Sequence, residues 1–353
     1  MATLTEIFGL RLKNARLIKG YSHQQIADEI GVSKQMVSKY ELGKSLPDST
    51  NLIKLANLLG QNIDYFFSAP TVDLGEVSFR KKASLGVKQA NRIKERIRID
   101  VENYLTIENL LGIGGNFINP IAEMSITTDE EAEKAAIFLR EQWSLGVDPI
   151  ANIIGMLEDQ EIKVVEFDEG LKEFDGLSSM IDNKYPVVVV NKSFSIERKR
   201  FTLLHELGHL LMNIPINNEK KQVEKFCDRF AGSMLIPSDI LLKEFGRKRS
   251  NLTINELESF QEEYGISIPA LIFRLVHHGI ISQSQFESFF FKYRSNEKFK
   301  GVCDTLRYKG EESSDRFQRL VYRALAEEII SISKAASLLR TSIERIRENF
   351  TLV

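Results

Sequence analysis

The run His205-Glu206-Leu207-Gly208-His209 sets two imidazoles four residues apart, with a carboxylate next to the first. On an α-helix, residues at i and i+4 leave the same face, so both rings can ligate one ion. Glu206 is then placed to take a proton from a water on that ion. Around this set, Phe201, Leu203, Leu204, Leu207, Leu210 and Leu211 cover most of a helical circumference, so residues 201–212 are expected to form a buried helix. Ionisable groups in an apolar helix are unfavourable unless they are paired or hold a metal. Gly208 removes bulk at one point and lets another element approach.

A catalytic metal needs a third protein ligand and an open position. Glu224, 15 residues beyond His209, opens a second helical stretch that carries Phe226, Phe230, Met234 and Leu235 on its apolar face and stops before Pro237. Glu224 is assigned as the third metal ligand. Asp228, one turn further on the same side, is assigned as an acceptor for a histidine N–H. Zinc is the expected ion, and manganese or iron suits the same donors. A structural zinc site would be closed by four protein ligands, often cysteines. No fourth ligand is evident, and Cys227 points off the Glu224/Asp228 face. Of the five histidines in the chain, only His205 and His209 have ligand spacing. His277 and His278 fall at the end of an expected helix over 269–276, where histidines are favourable with the helix dipole. Neither they nor Tyr264 is assigned a catalytic role, and no transition-state-stabilising residue is evident.

The elements that must carry these groups divide the chain into several parts. At 353 residues, with 43% hydrophobic and 27% charged residues, two or three soluble domains are expected. Apolar runs such as Pro186 to Val190 are far short of a membrane span. The first residues show no secretory pattern, and two cysteines make no disulfide framework, so a cytoplasmic protein without membrane partners is expected. The net charge of −2 hides an asymmetry. Residues 1–70 carry 8 Lys/Arg against 6 Asp/Glu, and residues 71–98 carry 8 against 3. Positive charge therefore concentrates in the first quarter, where a nucleic acid would be steered.

Residues 6–66 read as short helices separated by turn residues. The first ends near Lys19-Gly20. Ser22 caps a second, which stops at Gly31, and Ser33 caps a third, from Lys34 to Leu42. A fourth, Asn51 to Leu59, stops at Gly60. The run Ser22-His23-Gln24-Gln25-Ile26-Ala27, then Gly31-Val32-Ser33 and Val37-Ser38-Lys39-Tyr40-Glu41-Leu42-Gly43, resembles the phage-repressor (Cro/cI, XRE-type) helix-turn-helix family over about one fifth of the chain. Aligned on that pattern, the recognition helix starts at Ser33 and turns Lys34, Gln35, Ser38 and Lys39 outward to base edges. His23 and Gln24 would touch phosphate, while Val37 and Leu42 face the core with Ile26 and Ala27. A single such unit binds weakly, so a homodimer on a two-fold double-stranded DNA operator is expected.

After it, spacings of three and four among Val87, Ile93, Ile97, Val101, Leu105 and Leu110-Leu111 predict an amphipathic helix, following the basic run Phe79-Arg80-Lys81-Lys82. The glycines of Gly112-Ile113-Gly114-Gly115 make no nucleotide loop, since no Lys-Ser/Thr follows. At the far end, residues 324–346 read either as a degenerate helix-turn-helix without its turn glycine or as a packing module.

Around the metal residues the chain resembles the ImmA/IrrE family of metallopeptidases over roughly residues 125–280. Besides the His-Glu-Leu-Gly-His run, the match includes Phe174-Asp175-Gly176-Leu177-Ser178, Pro186 to Asn191, Arg200-Phe201-Thr202, Phe230-Ala231 and Leu235-Ile236-Pro237. Cys227 stands where the family usually has alanine. The resemblance implies a multidomain chain: an all-α helix-turn-helix domain (1–70), a basic helical linker (71–120), an α+β zincin-like metallopeptidase domain (121–290) and a helical C-terminal region (291–353). It implies a DNA-binding regulatory metallopeptidase that cleaves a repressor or antitoxin-like protein, with Glu206 moving the proton. The strand near Gly176 would hold an extended substrate by edge pairing. The alternative is a DNA-binding regulator or antitoxin whose peptidase-like domain is a sensor or scaffold.

Overall fold

A computed structural model describes residues 3–69, 87–167, 174–215 and 218–350. The expected basic run at 79–82, with the rest of 71–86, lies outside them. The chain forms two compact units. One comprises Met1–Gly115, Ile181–Lys184 and Asp315–Val353, the other Asn116–Met180 and Tyr185–Ser314.

The first unit begins with α1 (Leu4–Lys19), α2 (His23–Ile30), α3 (Lys34–Glu41), α4 (Ser49–Leu59) and α5 (Ile63–Phe67). Their limits follow from capping chemistry. Ser22, Ser33, Asp48 and Asn62 each accept a hydrogen bond from a first-turn amide, and Gly20, Gly31 and Gly60 close helices in the left-handed region. The fifth helix was not expected. Phe8, Leu12, Ile26, Ala27, Val37, Leu55 and Phe66 are fully buried together. Leu42 departs from the expected core set: it lies past the end of α3 as its C-cap and is 63% exposed. Tyr40 is buried instead, with its ring edge-on to Phe8.

The amphipathic helix appears as α6 (Val87–Leu111) and packs within the same unit. It buries Ile93, Ile97, Val101 and Leu105. Glu102 accepts from Arg11 of α1 and from Arg98 of its own helix, each at 2.7 Å, which joins α6 to α1 through a buried charged triad.

The second unit runs α7 (Asp129–Gln142), α8 (Ile153–Asp159), β1 (Lys163–Phe167), β2 (Gly176–Ile181), β3 (Tyr185–Asn191), α9 (Ile196–Leu211), α10 (Lys220–Leu235), α11 (Ser238–Phe245), α12 (Ile254–Tyr264), α13 (Ile268–His277), α14 (Gln283–Ser295) and α15 (Glu297–Asp304). Sheet order is β1-β3-β2. β3 is central and parallel to β1, with Val164 opposite Val188. Val188, Val189 and Val190 are fully buried, as an unbroken apolar run implies for a strand covered on both faces. β2 leads into β3 through the tight turn Asp182-Asn183, both residues with positive φ, and forms one edge of the sheet.

α9 starts five residues earlier than the expected 201, because Ser195 caps it. The extra turn carries Arg200, fully buried, which donates to Glu312, to the Ile150 carbonyl at 2.7 Å and to the Tyr264 carbonyl at 3.2 Å. Glu312 also accepts from the amide of Ile153 at 3.0 Å, so this pair draws the segment after α15 onto α9.

The chain ends in α16 (Arg316–Ala326), α17 (Ile332–Leu339) and α18 (Ile343–Asn349). They share a core with Tyr104 and Ile107 of α6. Arg340 takes the left-handed conformation between α17 and α18 where a turn glycine would be expected. The helix-turn-helix outline is thus present, and its buried face packs on α6.

Glu133 of α7 faces Arg274 at 3.4 Å, Arg229 at 3.5 Å and His278 at 3.1 Å. Burial opposes its ionisation, but His278, Arg274 and Arg229 outweigh burial and bring its pKa down to about 2. A carboxyl with a folded pKa below its ordinary 4.5 stabilises fully above that value and loses the effect as pH falls towards the folded pKa. Glu133→Gln should therefore lower unfolding stability at pH 7 by about 3–5 kcal/mol. In urea melts the gap to wild type should narrow as pH drops from about 4.5. A gap that stays constant would mean that the charge is not what holds this contact.

Candidate metal centre and nucleic-acid interface

The metal centre depends on how closely α9 and α10 cross. A Cβ on Gly208 would meet Phe230 Cδ1 at 3.2 Å and the Cα of Cys227 at 3.4 Å, so the glycine admits α10 as the sequence suggested. Cys227 is fully buried at this crossing and takes no part in the donor cluster.

Across the crossing, His205, His209 and Glu224 bring one donor atom each within 4.8 Å of one another. His205 Nε2 is 3.8 Å from one Glu224 oxygen, and His209 Nε2 is 3.9 Å from the other. Tetrahedral zinc with bonds of about 2.0–2.1 Å requires donors roughly 3.3–3.5 Å apart. These two contacts use different Glu224 oxygens, and with one donor per residue the set spans up to 4.8 Å, so the side chains must draw together to take that geometry. His205 Nε2 is buried and has no hydrogen-bond partner, the condition expected of a nitrogen reserved for an ion. Glu206, Glu224 and Asp228 also gather three carboxyl groups around two imidazoles, a set that a divalent cation balances. The residues fit a metal.

Asp228 Oδ1 lies 2.6 Å from His205 Nδ1, within hydrogen-bonding distance though not in line with the ring N–H. It occupies the position from which an acceptor would hold the ring with Nε2 towards the ion.

Glu206, 3% exposed, faces the edge strand. Ser178 Oγ donates to Glu206 Oε2 at 3.1 Å. This contact is permitted by Gly176, where a Cβ would meet Thr202 Cγ2 at 2.9 Å and Glu206 Cγ at 3.2 Å. β2 therefore lies directly against the face of α9 that bears Glu206. The Ser178–Glu206 bond was not visible in the sequence, although the conjunction of Gly176 and Thr202 among the resemblance motifs was its trace. His278 is occupied with Glu133, and Tyr264 is buried in a stack on Phe260. Neither belongs to the donor cluster.

In the first unit, Lys34, Gln35 and Lys39 are exposed on α3 and Ser38 is half-buried beside them. The Ser33 hydroxyl caps the helix by accepting from the Met36 amide. Gln24, exposed on α2, donates to Asp28 at 2.7 Å. The half-buried His23 lies with Nε2 2.8 Å from Glu41 Oε2. Glu41 also receives two bonds from Arg16, at 2.5 and 2.9 Å, so His23 belongs to a network that ties α1, α2 and α3 together.

A compact helical reader followed by a His/His/Glu centre on crossed helices describes a regulator joined to a metallopeptidase-type domain. Residues 12–66 match the helix-turn-helix family, and residues 157–276 match the IrrE N-terminal-like domain of the M78 peptidases. The chain belongs to the XRE-type helix-turn-helix regulators and carries an IrrE N-terminal-like domain behind that module. The SPbeta prophage-derived HTH-type transcriptional regulator YonR of Bacillus subtilis is 44% identical over 73 residues, 20% of this chain and 68% of that protein. ImmR, an HTH-type transcriptional regulator of the same organism, is 30% identical over 90 residues, 26% of this chain and 67% of its own length. The CTXphi repressor RstR of Vibrio cholerae is 44% identical over 54 residues, 15% of this chain and 48% of that protein. These relatives are matched only through part of their length. The apo form of ComR from S. thermophilus, at 16% identity, overlays 92% of this chain and 100% of its own with a TM-score of 0.18, too low to carry an argument.

Glu224→Ala should remove the bound metal from the purified chain, and Asp228→Asn should weaken its affinity by about 10- to 100-fold. Elemental mass spectrometry with a chelator titration measures both. Wild-type metal content retained in Glu224→Ala would refute the three-ligand assignment.

Proposed function

We propose that the chain is a DNA-binding regulatory metallopeptidase that cleaves a repressor or antitoxin-like protein to switch gene expression. The observation that carries this is the placement of Glu206: a buried carboxylate beside three converging metal donors, hydrogen-bonded to an edge strand on which an extended polypeptide can add. His205, His209 and Glu224 would hold the ion, zinc by preference, with manganese or iron suited to the same donors. When bound, the ion supplies Lewis-acid polarisation of a scissile carbonyl and acidifies water. Glu206 accepts a proton at its carboxylate oxygens and returns it to the leaving amine. Ser178 holds that carboxylate at the strand edge, and Asp228 fixes the His205 ring.

The helix-turn-helix serves as an operator-binding module. Lys34, Gln35, Ser38 and Lys39 present hydrogen-bonding groups from α3 to the major groove, and a homodimer on a two-fold site would raise affinity. Binding DNA in this way places the peptidase beside other DNA-bound repressors, in the cytoplasm. A second reading, a regulator whose peptidase-like domain acts as a sensor or scaffold, is favoured by the similarity of the first module to proteins named as regulators and repressors.

Glu206→Gln should lower cleavage of a mixed peptide library, scored by mass spectrometry, by at least about 100-fold, with metal content unchanged. Retained cleavage would sink the role of Glu206, and a wild type that cleaves nothing would favour the sensor reading. Combined substitution of Lys34, Gln35 and Lys39 by Ala should weaken binding to a selected operator by at least about tenfold. Unchanged affinity would refute α3 as the recognition helix.

A further inference from the structure

The helix pair α17–α18 repeats α2–α3 position by position. From the capping serine to the left-handed residue that ends the first helix is nine residues in both, Ser22 to Gly31 and Ser331 to Arg340. Two residues further, Ser33 and Ser342 cap the second helix. All four hydroxyls accept from the amide three residues on, each at 3.2 Å. In the turn, the amides of Val32 and Thr341 donate to the carbonyls of Ala27 and Ala336, both at 3.0 Å. The inward residues match as well: Ile26, Ala27 and Val37 correspond to Ala335, Ala336 and Ile346, all buried. This is the geometry that offers the second helix of a pair to a major groove.

We propose that α17–α18 is a second DNA-contacting unit of this chain, with α18 in the major groove of duplex DNA and Arg347 reading a base edge. The proposal adds a contact to the operator reading of α3 and is independent of the peptidase reading. The core shared with Tyr104 and Ile107 of α6 holds the pair by its inner face, which leaves the outer face of α18 to a partner.

Charge favours DNA as that partner. Residues 331–350 carry 4 Lys/Arg against 2 Asp/Glu, whereas the matching residues 22–41 carry 2 against 3. Lys334, Arg345 and Arg347 are exposed, and none of them closes an ion pair among the described residues. Arg316, Arg323 and Arg340 are by contrast engaged, with Glu108, Glu327 and Asp100. Cations left open in this way attract phosphate. In the frame of α3, Ile343, Glu344, Arg347 and Glu348 take the places of Lys34, Gln35, Ser38 and Lys39. Arg347 can donate twice to a guanine edge, a glutamate can accept from cytosine, and Ile343 can meet a thymine methyl. Lys334 and Arg345 remain for flanking phosphates.

The test uses the full-length chain and a duplex that the wild type selects from a random library, with anisotropy over a salt series and hydroxyl-radical footprinting. Arg345→Ala with Arg347→Ala should weaken binding by about tenfold or more and lower the salt slope by about one. It should also erase at least one protected stretch, different from the stretch lost when Lys34, Gln35 and Lys39 are replaced by Ala. Arg319→Ala with Arg323→Ala removes the same charge from α16 and should keep every stretch. If the α18 double variant fails to fold by circular dichroism, Arg347→Ala alone takes its place and should relax base preference at one position of a reselected duplex. Unchanged affinity and footprint overturn the proposal. So does a weakening that leaves every stretch protected, or an equal loss in the α16 control. A changed oligomeric state in ultracentrifugation with an unchanged footprint also overturns it, and would make this face a contact between copies of the chain. Loss in the α18 variant beside wild-type binding in the α3 variant would uphold the proposal and reject the reading of α3. Loss in the α3 variant alone would reject the proposal and keep that reading.

Discussion

Two helices must cross closely enough for a carboxylate on one to reach two imidazoles on the other. That constraint governs the metal-bearing unit. Gly208 lies between His205 and His209 of α9 and leaves only hydrogen where Phe230 and Cys227 of α10 press in. A larger side chain there would push Glu224 away from both rings. The neighbouring apolar residues, from Leu203 and Leu207 to Phe226 and Phe230, are fully buried, and their close packing makes the crossing rigid.

Buried charge fixes the orientation of that frame. Arg200 and Glu312 both have side chains fully removed from solvent, and they hydrogen-bond further to backbone groups of residues 150–154 and of Tyr264. Glu133 does the same for α10 and α13 through Arg229 and Arg274. Such pairs contribute little net stability compared with apolar residues, yet removing one partner leaves an uncompensated charge. Their effect is to allow one arrangement of the helices and penalise others. The same device recurs in the first unit, where Glu102 joins Arg11 and Arg98, and where Glu41 binds Arg16 and stands beside His23.

The proposed functional surfaces are ones that these frames leave open. In the second unit they are the edge of β2 and the donors of α9 and α10. In the first unit it is the outer face of α3. Each is a face of a rigid element and not a long loop, which favours positional accuracy at the bonds that matter.

Much of this was legible in the chain itself. Ser22, Gly31, Ser33 and Gly60 set helix limits because caps and left-handed turns are local chemistry. The i, i+4 histidines shared a face because helix geometry is also local. Leu42 was misplaced in the core because a residue just past a helix end escapes the helical periodicity. The early starts of α9 and α10 were missed because polar first turns carry no apolar stripe. The fifth helix was missed because it is barely longer than one turn. The bond from Ser178 to Glu206, the pairing of Arg200 with Glu312 across 112 residues, and the core that the last three helices share with α6 were decided only in three dimensions. Their partners are far apart in the chain, and no local period or spacing records which distant segments will meet.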